Sequence, residues 1–529
     1  MTLVVTQHGP PPAFNLARPS SPPHVAAVRL RDGDIATVVA ILAQLLEFEL
    51  PYPATILKII LTVLFTIPGR SVFLPALFIC QFFASDFLLG DVSTYEYLLE
   101  RHEAARVTIL GFPLTTNYVF AVAMTLRVFH EVISRPETFR GIISTGWLWA
   151  WASCFGPALL AVLIGKTEGR FSWTAPIRDV MMVGCLFYGM ILARNKTETI
   201  AIIIHRLIPL AICMLSLAMI GYFYSRGMYL VTALGPAFFL TGRTLGQRSQ
   251  RWTKYAILFG LSLAYTFAFY PTAYAMTVAM VLYSTSGNSF ALIAIWLVAV
   301  IMTILLRSNR LSTQTQRKRF TLIPLATGSM AILFPVVFAF GTYSFSYDLP
   351  KVRDIYDLPV FDRFMYKLFY DRAPIWRGAI DELCSPPYVI KASSQMGYRL
   401  MLNGDKTPWP AGSHNLVLEE LRRNGWYSGI ICLFLIIRAN MFTLAAALQA
   451  TDATVRSFAI ATFSCLFILT LTSHIPMETN AAIWLLGPAG ICAYLLRGAR
   501  AVPLNRMDDK QGLFDTRVSQ SHQPSLVTG

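Results

Sequence analysis

The sequence predicts an all-α, polytopic integral membrane protein, a bundle of about 12–14 transmembrane helices with one large folded loop near its C-terminal end. Three observations carry that expectation. Apolar residues of the 529-residue chain fall in blocks of bilayer length. Only 14% of residues are charged and 55% are hydrophobic, against roughly 25% charged in an ordinary soluble domain. The basic residues gather in short loops between the apolar blocks. With a mean hydropathy of +0.53, the composition excludes a disordered chain and a water-soluble globule. A net charge of +15 does not make the chain a nucleic-acid binder, because phosphate binding needs a solvated basic surface.

Taken in order, residues 1–34 read as a cytoplasmic tail with prolines and without the n-region and apolar core of a cleavable signal. Residues 35–342 form the helical bundle, with spans near 35–48, 54–68, 71–90, 113–133, 144–165, 179–193, 200–222, 227–242, 255–283, 289–306 and 320–342. The first two are short enough for one re-entrant hairpin, and 255–283 is long enough for a tilted helix or two half-helices. Residues 343–426 form the large loop. Spans near 427–447, 455–472 and 479–496 complete the membrane part, and 497–529 is a polar, disordered cytoplasmic tail.

Orientation follows from the short loops, since lysine and arginine stay on the cytoplasmic side. Residues 243–254 hold Arg243, Arg248, Arg251 and Lys254, and residues 307–319 hold Arg307, Arg310, Arg317, Lys318 and Arg319, with no acid in either. Both loops are cytoplasmic, and the two spans between them turn outside at Ser284 to Asn288. The same alternation puts both termini inside and the 343–426 loop outside. The two loops carry +4 and +5, so most of the net charge records orientation. Seven of the 8 cysteines lie in apolar blocks, and Cys384 alone lies in a loop, so neither an external disulfide nor a metal site with CxxC spacing is expected. The chain has no P-loop, no GxGxxG and no HExxH, which removes the basis for an ATP-driven pump or a membrane zinc protease.

The large loop is long, of mixed composition and rich in aromatic residues, including Trp376, Trp409 and Trp426. Loops of this size are usually functional or disordered, and this composition suits small folded helices lying on the membrane face. Its 11 basic and 10 acidic side chains nearly balance. Residues 412–425 read as a helix with Ser413 as N-cap, His414 on the same face as Leu418 and Leu421, and Gly425 as its end. His414 therefore points inward at the membrane end of the loop, with a ring suited to general-base work on a hydroxyl. Asn415 and Glu419, one turn apart, are placed to hydrogen-bond a sugar or each other. The bland reading of a lone histidine is a hydrogen bond within the loop. For Arg372 and Arg377 the bland reading is ion pairing with Asp371, Asp381 or Glu382, and the functional one a clamp on pyrophosphate, which guanidinium groups bind bidentately.

The stretch Arg372 to Trp376, paired with His414 to Leu418 and followed by Glu419 and Gly425, resembles the O-antigen ligase and polymerase superfamily of bacterial envelope glycosyltransferases. The motif-bearing resemblance covers roughly residues 280–430. It implies an enzyme of the bacterial inner membrane, with its active loop periplasmic, that takes part in lipopolysaccharide or exopolysaccharide biosynthesis. The implied donor is an undecaprenyl-diphosphate-linked glycan. The implied acceptor is another glycan or lipid A core, with polysaccharide assembly partners and membrane lipids as neighbours. The resemblance implies neither metal nor other cofactor. It makes His414 the base that activates the acceptor hydroxyl and Arg372 the group that holds the donor pyrophosphate as it leaves, with inversion at the anomeric carbon. Arg377, Asn415, Glu419 and Trp376 complete the expected substrate-binding set.

One departure from the family pattern stands out. Family members often carry serine-arginine-glycine on an external turn, where this chain reads Ser284-Thr285-Ser286-Gly287-Asn288-Ser289-Phe290. The arginine is missing, with Arg377, Arg226, Arg178 or a neutral Asn288 as substitutes. Two other classes stay open. A lipid-linked oligosaccharide flippase or other transporter would use Arg127, His130, Glu131 and Arg206 in a central cavity. A polyprenyl-phosphate-sugar transferase would use Asp91, Glu96, Glu100 and Glu103, whose bland reading is an exposed helix.

Overall fold

The computed structural model describes residues 34–43, 46, 50–66, 108–109, 112–113, 116–134, 136, 174–221, 227–242, 250–276, 280–307, 323–344, 359–386, 388–389, 391, 396–398, 409–411, 413–472 and 479–500. Every described element longer than three residues is helical. The helices are α1 (Asp34–Ala43), α2 (Pro51–Thr66), α3 (Thr116–Ser134) and α4 (Thr174–Leu192). Next come α5 (Lys196–Ile202), joined through a π-turn at Ile203–Leu207 to α6 (Ile208–Gly221), then α7 (Met228–Gly242), α8 (Gln250–Met276), α9 (Met280–Arg307) and α10 (Ile323–Phe340). The loop region holds α11 (Val360–Tyr366), a π-turn at Lys367–Arg372 and α12 (Ala373–Leu383). Last are α13 (Leu416–Gln449), α14 (Ala453–Thr472) and α15 (Thr479–Arg500). Two antiparallel ladders, Thr108–Ile109 with Phe112–Pro113 and Met396–Tyr398 with Trp409–Ala411, are the described strands.

Among the described residues three helical stretches, Lys196–Met219, Leu416–Gln449 and Ala453–Thr472, are long and apolar enough to cross a membrane. Seven further apolar helices of 10–17 residues accompany them. Their outer faces are greasy. On α3 the residues Val122, Leu126, Phe129 and Ile133 stand exposed at helical spacing, as do Met330, Leu333, Val337 and Phe340 on α10. Stripes of this size are unfavourable against water and suit lipid. Inside the apolar helices several hydroxyl groups are satisfied locally. Thr125, Thr266, Thr303 and Thr462 each donate to a carbonyl one turn back, at 2.7–2.8 Å.

The helices meet closely where side chains are small. A Cβ on Gly189 of α4 would sit 2.0 Å from the Gly487 carbonyl of α15, so the two backbones touch there and glycine is required. The turn between α13 and α14 is fixed by Asp452, whose Oδ1 accepts from the Val455 amide at 3.0 Å, and by Arg456, which donates to the Ala450 carbonyl.

Several expected boundaries shift. Spans expected near 71–90 and 144–165, residues 1–33 and 501–529 of the tails, and Asp91, Glu96, Glu100, Glu103 and Arg226 lie outside the described residues, while 497–500, expected to open the C-terminal tail, continue α15. The external turn expected at Ser284 to Asn288 is helical instead. One helix ends at Met276 and the next begins at Met280, running unbroken through Ser284-Asn288 to Arg307. Thr, Ser and Gly read as turn residues, but here they are carried within a long helix whose own sequence is mostly apolar.

Residues 416–424 form an arm tucked into the bundle, where the composition suggested helices lying on its face. Gly425 adopts φ 77° and ψ 179° and breaks α13 into that arm and a second one at 426–449. The arms fold back on each other. A Cβ on Gly429 would lie 2.9 Å from the Glu420 carbonyl and 3.0 Å from Leu421 Cα, an approach impossible along one straight helix. Val417 and Leu421 pack with Ala331, Leu383, Leu433 and Leu471, and Leu418 with Trp376, Ala379 and Ala339. The short arm is thus enclosed by α10, α12 and α14.

Candidate functional site

His414 sits just before the short arm, in the left-handed region at φ 50°. It is the one non-glycine among the described residues with positive φ. Such a conformation costs a side-chain-bearing residue about 1–3 kcal/mol and persists only where its surroundings enforce it. The enforcing bonds surround it. The Trp376 indole N–H donates to the Ser413 carbonyl at 2.9 Å. The Ser413 amide donates to Glu419 Oε2 at 2.8 Å, and its hydroxyl to the Asn415 carbonyl at 2.8 Å. Asn415 is the N-cap, with Oδ1 accepting from the Leu418 amide at 3.0 Å, while its Nδ2 donates to the Ala331 carbonyl at 2.8 Å.

Helix α13 therefore starts at Leu416, with Asn415 in the capping role expected of Ser413, and His414 precedes the helix. The cause is the bonding partners. Asn415 reaches both its own helix and α10, so Ser413 is free to brace the residue before the turn. Ala331 lies midway along α10, about 13 Å from its Phe340 end at 1.5 Å per residue. The His414 turn is set well down in the bundle, against α10, and His414 itself is half-buried.

The two expected arginines lie on the neighbouring element. Arg372 is half-buried and ends the π-turn Lys367–Arg372, directly before α12. Single π-turns recur at functional positions because they re-aim the side chains that follow. Arg372 is one helical turn from Trp376, so it shares a face with the residue that holds the Ser413 carbonyl. Arg377 is exposed and donates through Nε to the Ala339 carbonyl at the end of α10. Trp376, buried against Phe334 and Phe338, lies between the two arginines in sequence. The structure thus brings Trp376, Asn415 and Glu419 around the His414 turn. It attaches Arg377 to α10. Asn415 and Glu419 place their polar atoms on the protein.

Sequence reasoning missed the ion network beneath the turn. Arg422 is 0% exposed and Glu419 1%. Arg422 donates to Glu419 Oε1 at 2.8 Å and to Glu382 Oε2 of α12 at 3.0 Å. Arg423 lies 3.2 Å from Glu419 Oε1. Two carboxylates and two guanidinium groups balance. Arg422 so links α12, the helix that Arg372 directly precedes, to the carboxylate that holds the Ser413 amide. One signal in the sequence was available. Glu419 and Arg422 are three residues apart, in a helix whose other face is apolar.

The broken helix ends are closed by an extended strap. Amides of Trp426 and Tyr427, the first of the second arm, donate to the carbonyls of Tyr388 and Val389 at 3.0 and 3.1 Å. The Lys391 amide donates to the Asn424 carbonyl at 3.1 Å, and its ammonium caps α12 at the Glu382 and Leu383 carbonyls.

At the far end of α3, Arg127 and Glu131 pair inside the bundle, with His130 Nδ1 3.2 Å from Arg127 Nη1 and Arg194 at 4.0 Å from Glu131. Arg206 lies elsewhere, paired with Asp34 at 3.1 Å on the exposed surface. Among the described residues no group of three His, Cys, Asp or Glu side chains is placed to hold a metal ion. Comparison with protein families, characterised proteins and solved structures finds no match for this chain.

Proposed function

We propose that this protein is a membrane glycosyltransferase of the O-antigen ligase and polymerase type, using a polyprenyl-diphosphate-linked glycan at the periplasmic face. The observation that carries the reading is His414, held in strained left-handed backbone by bonds from Trp376, Glu419 and Asn415. Strain that a fold maintains at a titratable residue is a mark of function. Arg372 supports it, one turn from Trp376 at the end of a π-turn.

In the proposed step an imidazole nitrogen of His414 takes the proton of the acceptor hydroxyl. The hydroxyl oxygen bonds to the anomeric carbon of the donor sugar, and the bond from that carbon to the diphosphate oxygen breaks. The electron pair leaves with the diphosphate, whose charge Arg372 balances. Attack opposite the leaving group inverts the anomeric carbon. Trp376, Asn415 and Glu419 act by fixing the turn, and Arg377, at the α10 end, is the second cation proposed for the diphosphate. The acceptor is a growing surface glycan or lipid A core.

His414→Ala and Arg372→Ala should each stop glycan transfer in membrane vesicles while the protein stays at normal abundance in the membrane. Transfer at the normal rate by either variant would remove that residue from the chemistry. Movement of lipid-linked glycan across the bilayer without change of glycan length or attachment would instead favour a transporter.

A further inference from the structure

At the break in α13 four exposed apolar or aromatic side chains come together. Trp426 and Tyr427 are each 42% exposed, Tyr388 49% and Val389 60%. They are one surface because the strap carbonyls of Tyr388 and Val389 accept from the Trp426 and Tyr427 amides. The Lys391 bonds to Asn424 and to the end of α12 hold the strap from its other side. The surface does not stop there. Tyr427, Ile430 and Phe434 lie at i, i+3 and i+7, so one outward stripe of α13 continues from the strap down a helix long and apolar enough to cross a membrane. Tyrosine and tryptophan at the top of such a stripe, with aliphatic residues below, is the arrangement favoured where a ring faces both headgroups and acyl chains.

We propose that Tyr388, Val389, Trp426 and Tyr427 are seated in the headgroup region of the lipid bilayer, so that a loop segment far from any span in sequence is a membrane anchor. It rests on the reading of α13 as membrane-spanning and not on the glycosyltransferase chemistry. The anchor fixes the depth of Gly425 and, through the short arm, of the His414 turn. A lipid-tethered ligand moving in that leaflet meets this surface.

The test places a small genetically encoded fluorescent residue at position 389 of the full-length protein, and in a second variant at 388. Both are reconstituted in vesicles of phosphatidylethanolamine and phosphatidylglycerol with brominated acyl chains. Strong quenching by the brominated lipid and weak quenching by aqueous iodide at both positions is expected. Strong quenching by iodide with none by the lipid would put the strap in water. Shielding from both quenchers would put protein there, a second copy included, and either result overturns the anchor. Only preparations whose size-exclusion profile matches the unlabelled protein are read, and the two positions guard against failure of one variant. Absence of glycan transfer by the native protein, with lipid quenching retained in the labelled variants, would count against the enzyme reading alone.

Discussion

His414 carries a side chain where glycine would sit without strain, and that conflict separates its chemistry from its stability. His414→Gly should leave the thermal unfolding midpoint unchanged or raised. The strain released, about 1–3 kcal/mol, offsets the entropy glycine adds to the unfolded chain, about 0.5–1 kcal/mol. Transfer should fall by about 10²–10⁴-fold, the usual contribution of a positioned base. Arg422 behaves oppositely, as it touches no reacting atom and is wholly buried between Glu419 and Glu382. Arg422→Ala leaves buried carboxylates without their cation and should cost about 3–5 kcal/mol, measurable by thermal unfolding of the purified protein. Pairing Arg422→Met with Glu419→Gln should restore much of that loss. The sequence singled out His414, Arg372 and Trp376 as candidates, and the structure ties Trp376 to the residue before His414. The left-handed backbone of His414 was not legible in sequence, since it is imposed by Asn415 reaching α10, a partner 84 positions away.

At the scale of elements, the hinge at Gly425 decides whether the short arm can fold back into the bundle. Its φ of 77° with ψ near 180° is a region nearly confined to glycine. Gly425→Ala should therefore destabilise by about 1–3 kcal/mol and, by displacing the His414 turn, lower transfer as well; unchanged values of both would refute the hinge. The strap gives a pH signature. Burial of the Lys391 ammonium, with Arg422 nearby, pushes its pKa below 10.5 against the pull of Glu382 and Cys384. In that range the unfolded chain binds more protons than the folded one. Stability should then rise as pH climbs from the lowered pKa to 10.5, and Lys391→Met should flatten the rise. Most helices in the described residues were legible, because apolar blocks of bilayer length leave the chain few alternatives. Gly425 was legible as a helix end, but the fold-back was not, because it depends on the close approach of Glu420 and Leu421 to Gly429. The turn expected at Ser284 to Asn288 failed for a related reason. Small polar residues mark turns in water, yet a long apolar helix carries them within its run.

At the scale of the whole molecule, three helices among the described residues fit to cross a membrane, and with the outward apolar stripes on α3 and α10 they agree with a membrane protein. The +4 and +5 loops at 243–254 and 307–319 give the proposed orientation. Cys384 is exposed at the end of α12. A membrane-impermeant thiol reagent added from the periplasmic side should modify it, and modification only after the inner side is opened would reverse the topology. The central claim is glycan transfer at the His414 turn. Its most direct measurement uses purified protein in vesicles supplied with a polyprenyl-diphosphate-linked glycan and an acceptor, following transferred glycan and released polyprenyl diphosphate together. The predicted result is equal formation of the two by the native protein and neither by His414→Gly of undiminished stability. Equal rates for that variant and the native protein, or no transfer by the native protein while it moves the lipid-linked glycan across the bilayer, would contradict it.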